Sequence, residues 1–336
     1  MPEKHTDILI IGAGPAGCAA AISARQAGLK TMLIEAHPCP RNAPGETLHP
    51  GIEPILKKLG VWEGITAAGF HRHRGIWRES GSSREFMPYG SDGDGEWLGL
   101  QADRRLLHGI LQRAASEAGA VFKPDTAPSE VILRNGRVAG LVCRGLEISA
   151  RWVLDATGQR AWLARVLALR AERPGPLLRV RFGWHDGDGR CLEGQPLFRR
   201  REAGWDWFAP LGDGRTAWVA LDQTAEQKQA AAPLTDGNGN QRVPGLDMTW
   251  RLHPCCAGPG YFLLGDAAAL LDPASSNGVL RALMSGMLAA DLAARVFFGG
   301  DEDIASRAYA AWTESLFNHH KAGLGGLYSR AGDGST

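Results

Sequence analysis

The chain carries no excess of either charge. Among its 336 residues, Lys and Arg number 37 and Asp and Glu 36, which gives no electrostatic reason to expect nucleic acid or an anionic membrane as partner. It has no apolar run long enough to span a bilayer, and its start, Met-Pro-Glu-Lys-His-Thr-Asp, has none of the features of a leader peptide. A cytoplasmic protein without a membrane span is expected. Six cysteines, Cys18, Cys39, Cys143, Cys191, Cys255 and Cys256, form no C-x-x-C pair. A chain this long needs no disulfide staples, so reduced thiols and no structural metal are expected. What remains as a partner is a small molecule or a protein surface.

The order of elements follows from periodicity. Residues 7–11, DILII, form a short apolar run that ends at glycine; an Ala-rich stretch to Gly28 and a second run, TMLIEA, follow. This predicts strand, helix, strand. Helical spacing of Ile52, Ile55, Leu56 and Leu59 predicts a helix over 47–59 stopped by Gly60. Residues 70–97 and about 170–250 alternate as β structure does, with hairpins marked by Asn135-Gly136 and Asp213-Gly214. Helices are expected near 103–118, 277–297 and 302–320, and WVLDATG at 152–158 reads as a buried strand ending in a glycine loop. Without a linker or a repeat, a second lobe is inserted into the first rather than appended.

Gly12-Ala13-Gly14-Pro15-Ala16-Gly17 fits G-x-G-x-x-G between the first predicted strand and helix. Gly12 permits the tight turn, Gly14 lets a pyrophosphate approach the backbone, and Gly17 lets helix and strand pack closely. The helix N-terminus favours the phosphates, and Glu35 ends the second strand where a carboxylate can accept ribose hydroxyls. The motif alone does not separate FAD from NAD. No second copy of it exists for a nicotinamide nucleotide.

Other segments resemble FAD-dependent aromatic hydroxylases and flavin-dependent halogenases: EAHPCPRNAPGETLHPGIEPILKKLG, QADRRLLHGILQRAASEAGA, DATG at 155–158, and LLGDAAALLDPASSNGVLRAL, in that family's order. The resemblance implies FAD as cofactor. It also implies an α/β fold in which a Rossmann-like FAD-binding domain carries an inserted mixed β-sheet substrate domain, as in p-hydroxybenzoate hydroxylase. Residues 1–69, 98–169 and 250–300 would form the first, 70–97 and 170–249 the second, and 301–330 a C-terminal helical segment. Arg104 would reach the flavin nucleotide, Asp155 and Gly158 would sit at a strand-end loop, and Gly265, Asp266 and Pro273 would belong to the second flavin motif. Asp266 would hold a ribityl hydroxyl. The helix start at Asn277, Gly278 and Val279 would face the pyrimidine end, where reduced flavin is negative.

Which flavin chemistry runs there is a narrower question. Trp205-Asp206-Trp207-Phe208-Ala209-Pro210 is similar to the W-x-W-x-I-P signature of halogenases, and its two tryptophans, on the same face of a strand, would shield the site or pack the lobes. In the halogenases that act on phenols, a lysine that captures hypohalous acid lies in a stretch like G-F-x-x-K-x-G; here the stretch is Gly69-Phe70-His71-Arg72-His73-Arg74-Gly75. His73 replaces the lysine, and Ser276-Asn277-Gly278 replaces the usual Ser-Thr-Gly. The resemblance therefore favours a monooxygenase working through a C4a-hydroperoxyflavin on an aromatic or electron-rich substrate. That substrate is small, or is borne by a carrier or a partner protein, whose tryptophan is one such ring. His73 and His49 are the acid–base residues expected, and Arg74 and Arg281 are suited to orienting an anionic substrate. Gln101 and Asp103 are expected only to flank and cap a helix. Electrons would come from NAD(P)H or a separate flavin reductase. An isoprenoid-type reductase and a halogenase are the alternatives.

Overall fold

The computed structural model describes residues 4–37, 46–187, 192–223 and 245–328; Cys39 and Cys191 lie outside them. An eight-stranded sheet forms around Lys4–Ile11, whose apolar run is buried on both faces as parallel strands require. Thr31–Ile34 pairs with it on one side and Leu146–Asp155 on the other, both parallel, with Ile10 opposite Leu33 and Leu154. The connection to Thr31–Ile34 is the helix Pro15–Gln26, the crossover a parallel pair demands. Val121–Lys123 extends one edge. Leu146–Asp155 pairs first with Arg137–Cys143 and then with Tyr261–Leu263. Against the Pro15–Gln26 helix lies Gly278–Phe297, so close that a Cβ at Gly286 would stand 2.2 Å from the Ala16 carbonyl oxygen.

A seven-stranded mixed sheet joins two distant stretches of chain. Its order is Leu246–Asp247, Leu178–Asp186, Arg215–Gln223, Gly204–Pro210, Leu197–Arg201, Gly75–Ser80 and Ser83–Pro88. The junction is parallel, with Leu197 opposite Trp77. On the inner face Phe198, Trp205, Trp207 and Leu221 pack with Trp250, Leu271, Phe317 and Leu324, which ties the sheet to the C-terminal helix Glu302–Tyr328. A small antiparallel sheet of Glu46–Leu48, Gly99–Ala102 and His71–His73 sits beside these.

Several expectations hold in detail. Asn135 and Gly136 have φ of 52° and 76° between paired Arg134 and Arg137, the positive-φ pair a type I′ turn needs. The helix predicted at 103–118 is Arg104–Glu117, and Asp103 caps it by accepting from Leu106 N at 3.0 Å. The single helix over 47–59 is corrected: Glu46–Leu48 is a strand, Pro50–Ile52 a tight 3₁₀ turn, and Glu53–Lys58 the helix. Pro50 explains the break, because it forces His49 into extended backbone, with ψ of 147°. The last helix runs to Tyr328, beyond the expected end at 320. Among the described residues no helix is long and apolar enough to cross a membrane, and the described cysteines Cys18, Cys143, Cys255 and Cys256 are free thiols.

Candidate active site

The three glycines of the fingerprint differ in what surrounds them. Gly12 has φ of 98°, and a Cβ there would stand 2.5 Å from Ala156 O; a Cβ at Gly17 would stand 1.9 Å from Gly12 O. Gly14, by contrast, faces open space. It is the N-cap of the Pro15–Gln26 helix, and no side chain caps that end. This is the arrangement a pyrophosphate needs: free amides, a positive helix end and no Cβ in the way. Pro15 occupies the first turn, where its missing N–H is no loss, and Ala16 is buried behind it. Glu35 accepts from Ala13 N at 2.9 Å and from His37 N at 3.0 Å. Two carboxylate oxygens keep acceptor capacity beyond those bonds. Gln112, which sequence reasoning missed, donates to Ala13 O at 3.0 Å and holds the loop from below.

The second flavin motif converges on the same sheet edge. Gly265 donates its N–H to Ser285 Oγ at 2.9 Å, which sets the Gly265–Ala267 turn against the Gly278–Phe297 helix. No described residue hydrogen-bonds the Asp266 carboxylate, which suits a side chain whose partner is a hydroxyl-rich ligand. Asp272 accepts from Ala274 N and Trp250 Nε1 and so shapes the turn at Pro273. Asn277 places the start of the following helix without a side-chain cap; Gly278 is exposed with open space above it, and Val279 is buried beneath. Arg104 begins its helix half-buried, near enough to bear on Asp266 electrostatically. The residues present therefore fit FAD, with Gly14, Glu35, Asp266 and the Gly278 helix start as the groups that would hold it.

Asp155 and Gly158 take a different place. Asp155 is fully buried, accepts from Thr157 N at 2.9 Å and Leu163 N at 2.8 Å, and burial raises its pKa against those same bonds. Each oxygen accepts one bond from inside the loop, so Asp155 shapes the chain next to the fingerprint. Gly158 supplies the positive φ, 63°, that turns the same loop.

One hydrogen-bonded chain joins the sheets. Trp207 Nε1 donates to Thr47 Oγ1 at 2.8 Å, Gln101 Nε2 donates to the same hydroxyl at 2.9 Å, and Gln101 Nε2 lies 3.4 Å from His73 Nε2. His73 Nδ1 lies 3.2 Å from Gly75 O. The His73 ring is 1% exposed and fits over Gly99, where a Cβ would come within 2.4 Å of it. Burial, aided by the charges of His71 and His49, pushes its pKa down to about 4. The imidazole is therefore neutral at ordinary pH. Gln101, expected only to flank a helix, is a buried member of this chain, and nothing local in the sequence marks Thr47 or Gln101 for it.

The remaining residues sort by exposure. His49 is exposed, accepts from Gly51 N at 3.1 Å and stands edge-on to Tyr89 at 5.3 Å. Trp205 is buried and packs on Phe198. The two arginines suited to an anionic substrate lie apart in exposure: Arg74 is on the surface beside Phe86, whereas Arg281 is buried under the second flavin motif.

A pH prediction follows from His73. Between about pH 6.5 and 4 the unfolded chain binds a proton that the folded chain refuses, so stability falls as pH falls through that window. The difference of about 2.5 units corresponds to about 3 kcal/mol. Urea denaturation from pH 7 to 4.5 is expected to show this loss in the wild type and a flatter profile in His73→Gln; parallel profiles would contradict a buried neutral imidazole.

This fold and these two flavin motifs define an FAD-dependent oxidoreductase. The tryptophan halogenase profile matches residues 94–322 and an FAD dependent oxidoreductase profile matches 7–167; the chain belongs to the tryptophan halogenase family. It is 26% identical to the 1H-pyrrole-2-carbonyl-[peptidyl-carrier protein] brominase of Pseudoalteromonas luteoviolacea, over 92% of this chain and 82% of that protein. It is 28% identical to menaquinone reductase of Mycolicibacterium smegmatis, over 96% of this chain and 83% of that one. In fold it is similar to the myxobacterial chondrochloren halogenase, with a TM-score of 0.84 at 22% identity, covering 98% of this chain and 65% of that one.

Proposed function

We propose that this chain is an FAD-dependent monooxygenase that hydroxylates an electron-rich aromatic ring borne by a carrier or partner protein. The observation that carries the reading is His73. Where the resemblance expects the amine that holds an electrophilic halogen, the chain has a neutral, buried imidazole fastened to Gly75 and Gln101. Such a ring offers no ammonium charge and no exposed nucleophile. Bound FAD would supply the activation of dioxygen. The protein's part is to exclude water and to hold the ring in place. Trp205 and Trp207 form the apolar cover on the inner face of the seven-stranded sheet, and the Trp207–Thr47–Gln101–His73 chain fixes that cover to the small three-stranded sheet beside it. Relatives that act on a pyrrole carbonyl group attached to a peptidyl-carrier protein support a tethered substrate.

Halogenation is the second reading, favoured by family membership. Reduced protein, dioxygen, bromide and an electron-rich indole or phenol decide between them. No brominated product is expected from the wild type. Bromination that disappears in His73→Ala would make the halogenase reading correct. A reduced flavin that survives air for minutes and reduces an alkene would instead place the chain with the reductases.

A further inference from the structure

Arg281 lies on the buried side of the Gly278–Phe297 helix, 7% exposed, and its Nε has no hydrogen-bond partner among the described residues. Beside it is a cavity of about 20 Å³, lined by Asp266, Ser285, Tyr309, Trp312 and Thr313 among others. That is room for a water molecule. A guanidinium sealed away in this manner is strongly destabilising unless opposite charge is near. Two carboxylates provide it: burial lowers the pKa of Arg281, and Asp266 and Asp272 oppose that. Asp272 is already engaged by Trp250 and Ala274. Asp266 shares the cavity wall with Arg281 and is left to the ligand.

We propose that Arg281 is a positioning residue for FAD, the buried counter-charge that keeps the Asp266 carboxylate available as an acceptor for a ribityl hydroxyl. The inference rests on the placement of Asp266 at the ribityl chain. Three cations face Asp266, each from a different element: Arg281 from the helix above it, Arg104 from the start of Arg104–Glu117, and Arg251 from the strand Arg251–Leu252. Burial holds the Asp266 carboxyl above its ordinary range overall, and Arg281 is the largest influence opposing that rise. On its other side Arg281 faces His320 of the C-terminal helix, which burial and then the Arg281 charge hold in the neutral form. Arg281 is thus the cation whose removal changes Asp266 most.

The sign of the effect is fixed by these charges. Without Arg281, the largest opposition to burial is lost, and Asp266 takes up a proton at a higher pH than it does in the wild type. A neutral carboxyl accepts a weaker hydrogen bond than a carboxylate, so FAD affinity weakens on the acid side.

The test is FAD affinity of apo-protein by flavin fluorescence from pH 6 to 8, with circular dichroism confirming the fold at each pH. Wild type and Arg281→Lys are expected to bind with a shallower pH dependence than Arg281→Met. Arg281→Met is expected to bind about tenfold more weakly at pH 6 than at pH 8. Asp266→Asn is expected to bind about tenfold more weakly than wild type at every pH. Affinity in Arg281→Met that follows the wild-type profile at every pH, beside weakened Asp266→Asn, would overturn the role of Arg281. Wild-type affinity in Asp266→Asn would overturn the placement of Asp266 itself. Should the methionine variant not fold, Arg281→Gln against Arg281→Lys makes the same comparison.

Discussion

Gly14→Val is expected to fold normally and to lose FAD, with affinity falling by more than about a hundredfold, about 3 kcal/mol or more. Gly17→Ala is expected not to fold stably at all. The two glycines stand three residues apart in one motif, yet their surroundings are opposite. At Gly14, φ is -79° and ψ is -174°, a backbone any residue adopts, and a side chain enters open space. Only a ligand's phosphates would meet it. At Gly17 a single methyl would lie 1.9 Å from the Gly12 carbonyl oxygen, and neither backbone segment can yield without separating helix from strand. Thermal melts and FAD titration distinguish the outcomes. Full FAD occupancy in Gly14→Val would remove the pyrophosphate from this loop.

The second large effect is on stability and belongs to Asp206. Its side chain is 1% exposed and accepts from Arg199 Nε and Arg201 Nε, each at 2.9 Å, while Arg201 reaches Asp222 at 2.8 Å. Asp206→Ala would leave two guanidinium groups together with one carboxylate fewer. Breaking a buried pair from one side costs about 3–5 kcal/mol. Asp206 lies between Trp205 and Trp207 but points to the opposite face of the sheet, so the ladder of charges fixes the strand that presents both tryptophans. Chemical denaturation checks the value. A loss below about 1 kcal/mol would mean the ladder behaves as a surface network.

The fold was largely legible because its signals are local. Three glycines at the right spacing, Asn135-Gly136 and the long helix after Asn277 each specify geometry within a few residues. The helix over 47–59 failed because periodicity was allowed to outweigh Pro50, although a proline restricts the residue before it. The glycine loop after the first strand was legible for the same local reason, whereas the partners of Asp155, Thr157 and Leu163, are set by the loop's own path.

The rest of the site depends on pairing between distant segments. His73 meets Gln101 because His71–His73 and Glu46–Leu48 both pair with Gly99–Ala102, and Trp207 meets Thr47 across 160 residues of chain. No short-range pattern encodes those contacts. The burial of Arg281 was hidden likewise: a helix of small residues tolerates an arginine on any face, and only the C-terminal helix packed against it seals this one in.

The most direct measurement is the mass of the product formed by reduced, FAD-loaded protein from an electron-rich aromatic substrate under labelled dioxygen with bromide present. One labelled oxygen atom and no bromine is the expected result. A brominated ring, or a product without label, would contradict a monooxygenase in which His73 takes the place of the lysine.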